Sequence, residues 1–407
     1  VGSDIPQNEF SVLVEQAYAT FSHEAVTPLI EMGPDQWLLE LFHGPTLAFK
    51  DIAMQLLARL MDRTLQRRKA RATIVGATSG DTGGAAIEAF AGRDAIDIFI
   101  LHPHGLVSDV QRRQMTTSSA ENVHNIAIKG TFDDCQALLK GLFNDLERRD
   151  RLSLAGVNSI NWARIMAQSV YYFVSAVALG APGRGVSFCV PTGSFGDVFA
   201  GYAASRMGLP INRLVIATNV NDILVRTLKT GRYEPNEVVA TSSPSMDIQV
   251  SSNFERLVFE AAGRDGNRVC HLMDGLAEQG GFALSDDELA SLRALFSAIA
   301  VDEAEVENTI RDVARETGYV CDPHTAVGLA AAHRADRDGS PMVTLATAHP
   351  AKFPEVVEAA TGKRPDVPGR LEKRLGAQER YTVLENDYGV LTEFIESRAS
   401  AVSEQAT

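Results

Sequence analysis

The sequence predicts an α/β fold of two domains with mostly parallel sheets, and three observations predict it. Two segments repeat one plan, in which a short apolar strand runs into a glycine-rich turn and then a helix. Further apolar strands alternate with helical stretches, the pattern of βα repetition. The 407 residues, 45% of them hydrophobic, suffice for two cores.

The first informative stretch is His43-Gly44-Pro45-Thr46-Leu47-Ala48-Phe49-Lys50-Asp51. Gly44 and Pro45 punctuate the chain, and Phe49, Ile52, Ala53, Leu56, Leu57 and Leu60 then recur at helical spacing. Lys50 stands in the first turn of that helix, beside its apolar stripe. Desolvation there favours the neutral amine, the form that condenses with an aldehyde to a Schiff base. Taken alone, a lysine at this place reads more readily as a solvated surface residue.

Two turns change that balance. Residues 71–75 read as a strand, followed by Gly76-Ala77-Thr78-Ser79-Gly80-Asp81-Thr82-Gly83-Gly84 and a helix through Phe90 that closes near Gly92. Residues 186–190 read as a buried strand, followed by Pro191-Thr192-Gly193-Ser194-Phe195-Gly196-Asp197 and a helix over 198–207. Amides at a helix N-terminus carry partial positive charge, and small residues let a phosphate or carboxylate approach them. Neither turn has the spacing of a dinucleotide or Walker loop. One such turn is more often only a tight connection, but two beside one amine suggest two anion sites around it.

The remaining elements follow from alternation. Strands are expected at 96–101 and 123–128, flanking Gln-, Arg- and Thr-rich helical sequence, and Thr131 opens a helix with Asp134 near its start. The apolar run 170–179 is too short to span a bilayer and reads as a core helix. Residues 303–315 read as a solvated charged helix, and 342–345 as a strand. Residues 234–253, rich in Ser with Pro235 and Pro244, read as a mobile loop over the cleft. A smaller domain is expected at 71–179, with the glycine-rich 180–185 returning the chain to a larger domain of 1–70 and 180–407.

In these blocks the chain resembles the threonine synthases, pyridoxal-phosphate enzymes of the tryptophan-synthase-β-like group. The resemblance runs through 43–51, 76–83, Val110-Gln111-Arg112-Arg113-Gln114-Met115-Thr116-Thr117, 158–164, 191–197, 245–248 with 251–256, and 346–353. It implies a fold type II enzyme whose two domains enclose a cofactor cleft. It further implies that Lys50 holds pyridoxal 5'-phosphate covalently and that Gly193, Ser194, Phe195, Gly196 and Asp197 bind its phosphate. Asp81 would lie near the phenolic oxygen of the cofactor, and Thr347 would face its ring nitrogen. Thr78, Ser79 and Thr82 would hold the substrate α-carboxylate, and Asn158, Ser159, Asn161, Arg164 and Lys352 the substrate phosphate. A planar guanidinium suits phosphate oxygens whatever the family. By themselves, Arg164 reads equally as a helix-face cation and Thr347 as a strand-end hydroxyl.

The implied activity is that of a carbon–oxygen lyase of threonine biosynthesis, turning O-phospho-L-homoserine and water into L-threonine and phosphate. A related phospho-lyase releasing a 2-oxo acid would use nearly the same residues, and a non-catalytic binding paralogue is the alternative from another class. Two departures from the family stand out. Ser194 occupies a position where the family usually has Asn, and the segment before Lys50 is shorter than usual and begins with Val1, which leads us to expect a truncated start or a missing family segment.

Composition narrows the partners. A net charge of -14 disfavours nucleic acid and anionic membranes, so an anionic substrate must be drawn by local donors. Cys135, Cys189, Cys270 and Cys321 form no close pair, which fits reduced thiols in a cytoplasmic protein. His43, His102, His104 and His324 lack metal-ligand spacing and read as structural, so no metal is expected.

Overall fold

A computed structural model describes residues 2, 4–78 and 80–403 of the chain. The chain divides into two compact units. The first takes in Val1–Glu24, Gly44–Asn161 and Val367–Thr407, and the second Ala25–His43 and Trp162–Asp366.

In the first unit, five strands form a parallel sheet in the order Thr382–Glu385, Val123–Lys129, Ile96–Pro103, Ala72–Ala77, Leu154–Ala155. Every residue of Ile96–Pro103 is buried, as expected of a central parallel strand covered on both faces. One core cluster joins Val75, Phe99, Leu101, Ile126 and Ile128 of the sheet to Leu138 and Leu142 of the helix Phe132–Asn144. That helix starts as its sequence predicts, with Thr131 and Asp134 forming a reciprocal capping box.

In the second unit, six strands run in the order Leu29–Gly33, Gln36–Glu40, Met342–Ala346, Val186–Pro191, Ile211–Thr218, Phe296–Ala300. All pair in parallel except the first two, which form an antiparallel hairpin at one edge. The helix Pro323–Arg334 covers the central strands, with Ala326, Val327, Ala330 and Ala331 in one cluster with Cys189, Val215 and Met342.

The units differ from a division at 71 and 179, and the reasons are contacts that apolar patterning does not carry. The helix Lys50–Arg68 packs on Asp81–Phe90 and on Gln7–Tyr18, so it groups with the sheet of the first unit. The helix Trp162–Ala178 packs on Gly196–Arg206, where the Tyr172 hydroxyl donates to the Asp197 carbonyl at 2.7 Å, so it belongs to the second. The stretch 180–185 therefore lies within that unit. The helix is also one-sided: Tyr171, Tyr172 and Ser175 are buried, whereas Val170, Val174 and Val177 are exposed. Residues 234–253 are tied down through Asp247, whose Oδ1 accepts from Asn219 Nδ2 at 2.8 Å and Asn221 Nδ2 at 3.1 Å.

Candidate active site

The residues singled out by sequence fall into a set in each unit. In the first, the turn before Lys50 is held by Asp51, which is fully buried and accepts from the backbone N–H and the hydroxyl of Thr46, both at 2.7 Å. Lys50 opens the helix Lys50–Arg68, its Nζ lying 4.8 Å from the centre of the Phe49 ring. The same Nζ lies 3.5 Å from Oδ2 of Asp81, the first residue of the helix Asp81–Phe90. The two side chains are 11% and 4% exposed, so this ion pair is largely withdrawn from solvent. Asp81 thus gives the amine a counter-charge, a neighbour that the apolar surroundings read from sequence did not include.

Thr78 is buried between the strand Ala72–Ala77 and that helix, and its Oγ1 accepts from Gly80 N–H at 2.9 Å and Gly83 N–H at 3.0 Å. Its oxygen therefore shapes the turn that presents the neighbouring amides. Thr82 lies one residue beyond Asp81 in the first helical turn and is half-buried. Ser79 lies outside the described residues. Asn158, Ser159 and Asn161 share a turn closed by Asn161 N–H to the Asn158 carbonyl at 3.1 Å, and Asn161 Nδ2 donates to the Gly156 carbonyl at 3.3 Å.

In the second unit, the strand Val186–Pro191 runs into the turn 192–195 and the helix Gly196–Arg206. The turn is held through its carbonyls and through the Phe195 N–H, which donates to Thr192 Oγ1 at 3.2 Å. The Gly193 carbonyl accepts from Ser251 Oγ at 2.6 Å, and the Ser194 carbonyl from both the N–H and Nδ2 of Asn253 at 3.1 and 3.0 Å. The carbonyls are thereby engaged from behind, and the helix has no side-chain cap. Phe195 takes a left-handed conformation with φ 64°, a strain that is tolerated where a backbone shape is needed. A Cβ at Gly193 would sit 2.9 Å from the Ser245 carbonyl oxygen and 3.0 Å from Met246 Cα, so the close approach requires glycine. Asp197 is buried, and its Oδ1 accepts from Thr192 Oγ1 at 2.5 Å and Val198 N–H at 2.9 Å. Its carboxylate stitches the turn together.

Thr347 follows directly on the strand Met342–Ala346 and is buried. Lys352 ends the short helix Pro350–Lys352 and is buried as well. Arg164 is buried in the first turn of Trp162–Ala178, and burial pushes its guanidinium down to about 10. A helix-face cation in water would keep its ordinary value. Near Lys352, His349 accepts Ala351 N–H on Nδ1 at 3.1 Å, and burial, then the charge of His43, lowers it to about 4. His324 is fixed by Asp322 at 2.7 Å and accepts Ser245 N–H on Nε2 at 3.3 Å, which anchors the loop that Gly193 touches. Among the described residues, no group of three or more His, Cys, Asp or Glu side chains could hold a metal ion.

A primary amine at a helix start, in the first unit, and a helix N-terminus without a side-chain cap, in the second, are each a kind of donor that an aldehyde carrying a phosphate requires. These residues fit pyridoxal phosphate. The profile of the family described as pyridoxal-phosphate dependent enzyme matches residues 20–348, and the chain belongs to that class. A second profile, threonine synthase C-terminal, matches residues 325–395. The threonine synthase of Pseudomonas aeruginosa is 51% identical over 97% of this chain and 85% of its own length. The pyridoxal-phosphate-bound threonine synthase of Brucella melitensis superposes with a TM-score of 0.96 at 58% identity, covering 98% of this chain and 86% of that one. The yeast threonine synthase structure gives 0.91 at 39% identity over 97% and 85%. Within its class, the chain is a member of the threonine synthase family.

Sequence reasoning missed Asp51 as the residue that holds the turn before Lys50. Asp51 lies within a quoted motif, but a carboxylate at the start of a helix reads as a dipole partner, not as a buried acceptor. No helix of the described residues is long and apolar enough to cross a membrane.

Proposed function

We propose that the chain converts O-phospho-L-homoserine and water to L-threonine and inorganic phosphate. The observation that carries this reading is Lys50 Nζ, withdrawn from solvent at a helix start and 3.5 Å from the Asp81 carboxylate. When bound, pyridoxal phosphate supplies an electron sink for the pair left behind at the substrate Cα.

On this reading Lys50 holds the cofactor aldehyde and, once freed by the substrate amine, takes the proton from Cα. Asp81 stays beside that nitrogen as counter-charge while the proton is held. Gly193, Ser194, Phe195 and Gly196 form the turn that binds the cofactor phosphate, Thr192 and Asp197 keeping it in shape, and Thr347 offers the ring nitrogen a hydroxyl. Thr78, Ser79 and Thr82 orient the α-carboxylate. Asn158, Ser159, Asn161, Arg164 and Lys352 bind the γ-phosphate and retain it as loss of a Cβ proton expels it; Cγ then takes a proton and water adds at Cβ. On this reading the first unit supplies Lys50, Asp81 and the carboxylate ligands, and the second the phosphate turn and Thr347.

The test is an assay of both products from O-phosphohomoserine. Threonine and phosphate should appear in equal amounts, and Lys50→Ala should lose turnover together with the visible band of the bound cofactor. Release of phosphate with a 2-oxo acid in place of threonine would overturn the assignment.

A further inference from the structure

The helix Asp109–Thr116 carries two glutamines on one face, Gln111 and Gln114, and both are buried. Long polar side chains lose much conformational freedom when buried, so their burial calls for specific bonds. Gln114 Nε2 donates at 3.0 Å to the carbonyl of Thr46, the residue that Asp51 fixes ahead of Lys50. Gln111 Nε2 donates at 2.9 Å to Asp81 Oδ1, the oxygen of that carboxylate other than the one facing Lys50.

The amide of Gln111 is itself held. Ser108, the N-cap of the same helix, donates from Oγ to Gln111 Oε1 at 3.0 Å, which leaves the NH2 end turned to Asp81. The neighbouring turn makes room for it. Gly80 has φ +149°, and a Cβ there would lie 2.5 Å from Gln111 Cδ. A side chain at position 80 would expel the glutamine from this place.

We propose that Gln111 is the positioning residue of the Lys50–Asp81 pair. By donating to one Asp81 oxygen it fixes the carboxylate plane, so that the other oxygen stays aimed at the lysine amine through each proton transfer. Its action is through Asp81, and the proposal rests on Lys50 being the residue that takes the cofactor.

Two variants of similar length separate this role from simple packing. Gln111→Met fills the space but cannot donate, and Gln111→Glu keeps the shape and the Ser108 bond but sets a second carboxylate against Asp81. Positioning predicts that kcat falls about tenfold in Gln111→Met and further in Gln111→Glu, with KM changed less than threefold. A packing role predicts the reverse order. The second readout needs no turnover: apoenzyme is mixed with pyridoxal phosphate and growth of the visible band is timed, in each variant and again with Asp81→Asn added. Slowing by Gln111→Met that disappears in the Asp81→Asn background supports the proposal. Equal slowing in both backgrounds, or none in either, overturns it while leaving the Lys50 reading intact. Wild-type protein that forms no band overturns both. Should Gln111→Met fail to fold, Gln111→Glu decides alone, since slowing in it that persists without the Asp81 charge counts against the proposal.

Discussion

The Asp51 carboxylate accepts twice from one residue, Thr46, using one oxygen for the backbone N–H and the other for the hydroxyl. This double link closes the turn that delivers Lys50 to its helix. Asp51→Asn would set an amide donor against one of those donors in a fully buried place. The loss is expected to be about 2 kcal/mol of stability, and the lysine start of the helix should loosen with it. Urea unfolding measures the first effect, and retention of pyridoxal phosphate on gel filtration the second.

At Ser194 the carbonyl is engaged by Asn253, and the side chain is one atom group shorter than the asparagine expected from the family. Ser194→Asn should bind pyridoxal phosphate more tightly by roughly 2- to 10-fold, the worth of one neutral hydrogen bond. Titration of both apoproteins followed by absorbance checks this, and equal affinities would remove Ser194 from cofactor retention.

Arg164 is buried, and its planar guanidinium suits phosphate oxygens. Arg164→Leu should lower kcat/KM for the phosphorylated substrate by roughly 30- to 100-fold, while Arg164→Lys recovers part of it. Steady-state kinetics should show the loss largely in KM, with weaker inhibition by inorganic phosphate alongside.

Acid should destabilise the protein through one buried and two partly buried histidines. His349 is lowered from 6.5 to about 4, chiefly by burial, and His102 and His124 are lowered for the same main reason. A folded-state value below the unfolded one means that the unfolded chain binds the proton more tightly. Above pH 6.5 both states are neutral and the groups have no effect, whereas from 6.5 down toward 4 stability is lost, by up to about 3 kcal/mol for His349. Denaturation at pH 7 and pH 5 measures the slope. His349→Asn, which can still accept the Ala351 N–H, should flatten it.

Much of this architecture was legible in the residues. The strands Ala72–Ala77, Ile96–Pro103 and Val186–Pro191 are largely apolar on both faces, and small residues after the first and third mark where the chain turns. Lys50 and the 193–197 turn stand out in the sequence because their motifs are local, and they fall at a helix start and a helix N-terminus. Thr382–Glu385 was not, since a mostly exposed edge strand with polar residues has no apolar signature. Gln111 was hidden for another reason. On a short helix with Arg112 and Arg113 beside it, a glutamine reads as solvated, and only the close approach of Gly80 reveals that it is buried. Val170, Val174 and Val177 misled in the opposite sense, because apolar spacing cannot tell which face of a helix is covered.

The pairing of Thr382–Glu385 with Val123–Lys129 bears on how the molecule is made. On a ribosome the inner strand emerges long before its neighbour, with the whole of Trp162–Asp366 synthesised in between. Until the last strand arrives, a row of backbone donors and acceptors stands open to any passing extended peptide. Nascent chains halted ahead of Thr382 should therefore be the ones that recruit chaperones or clump.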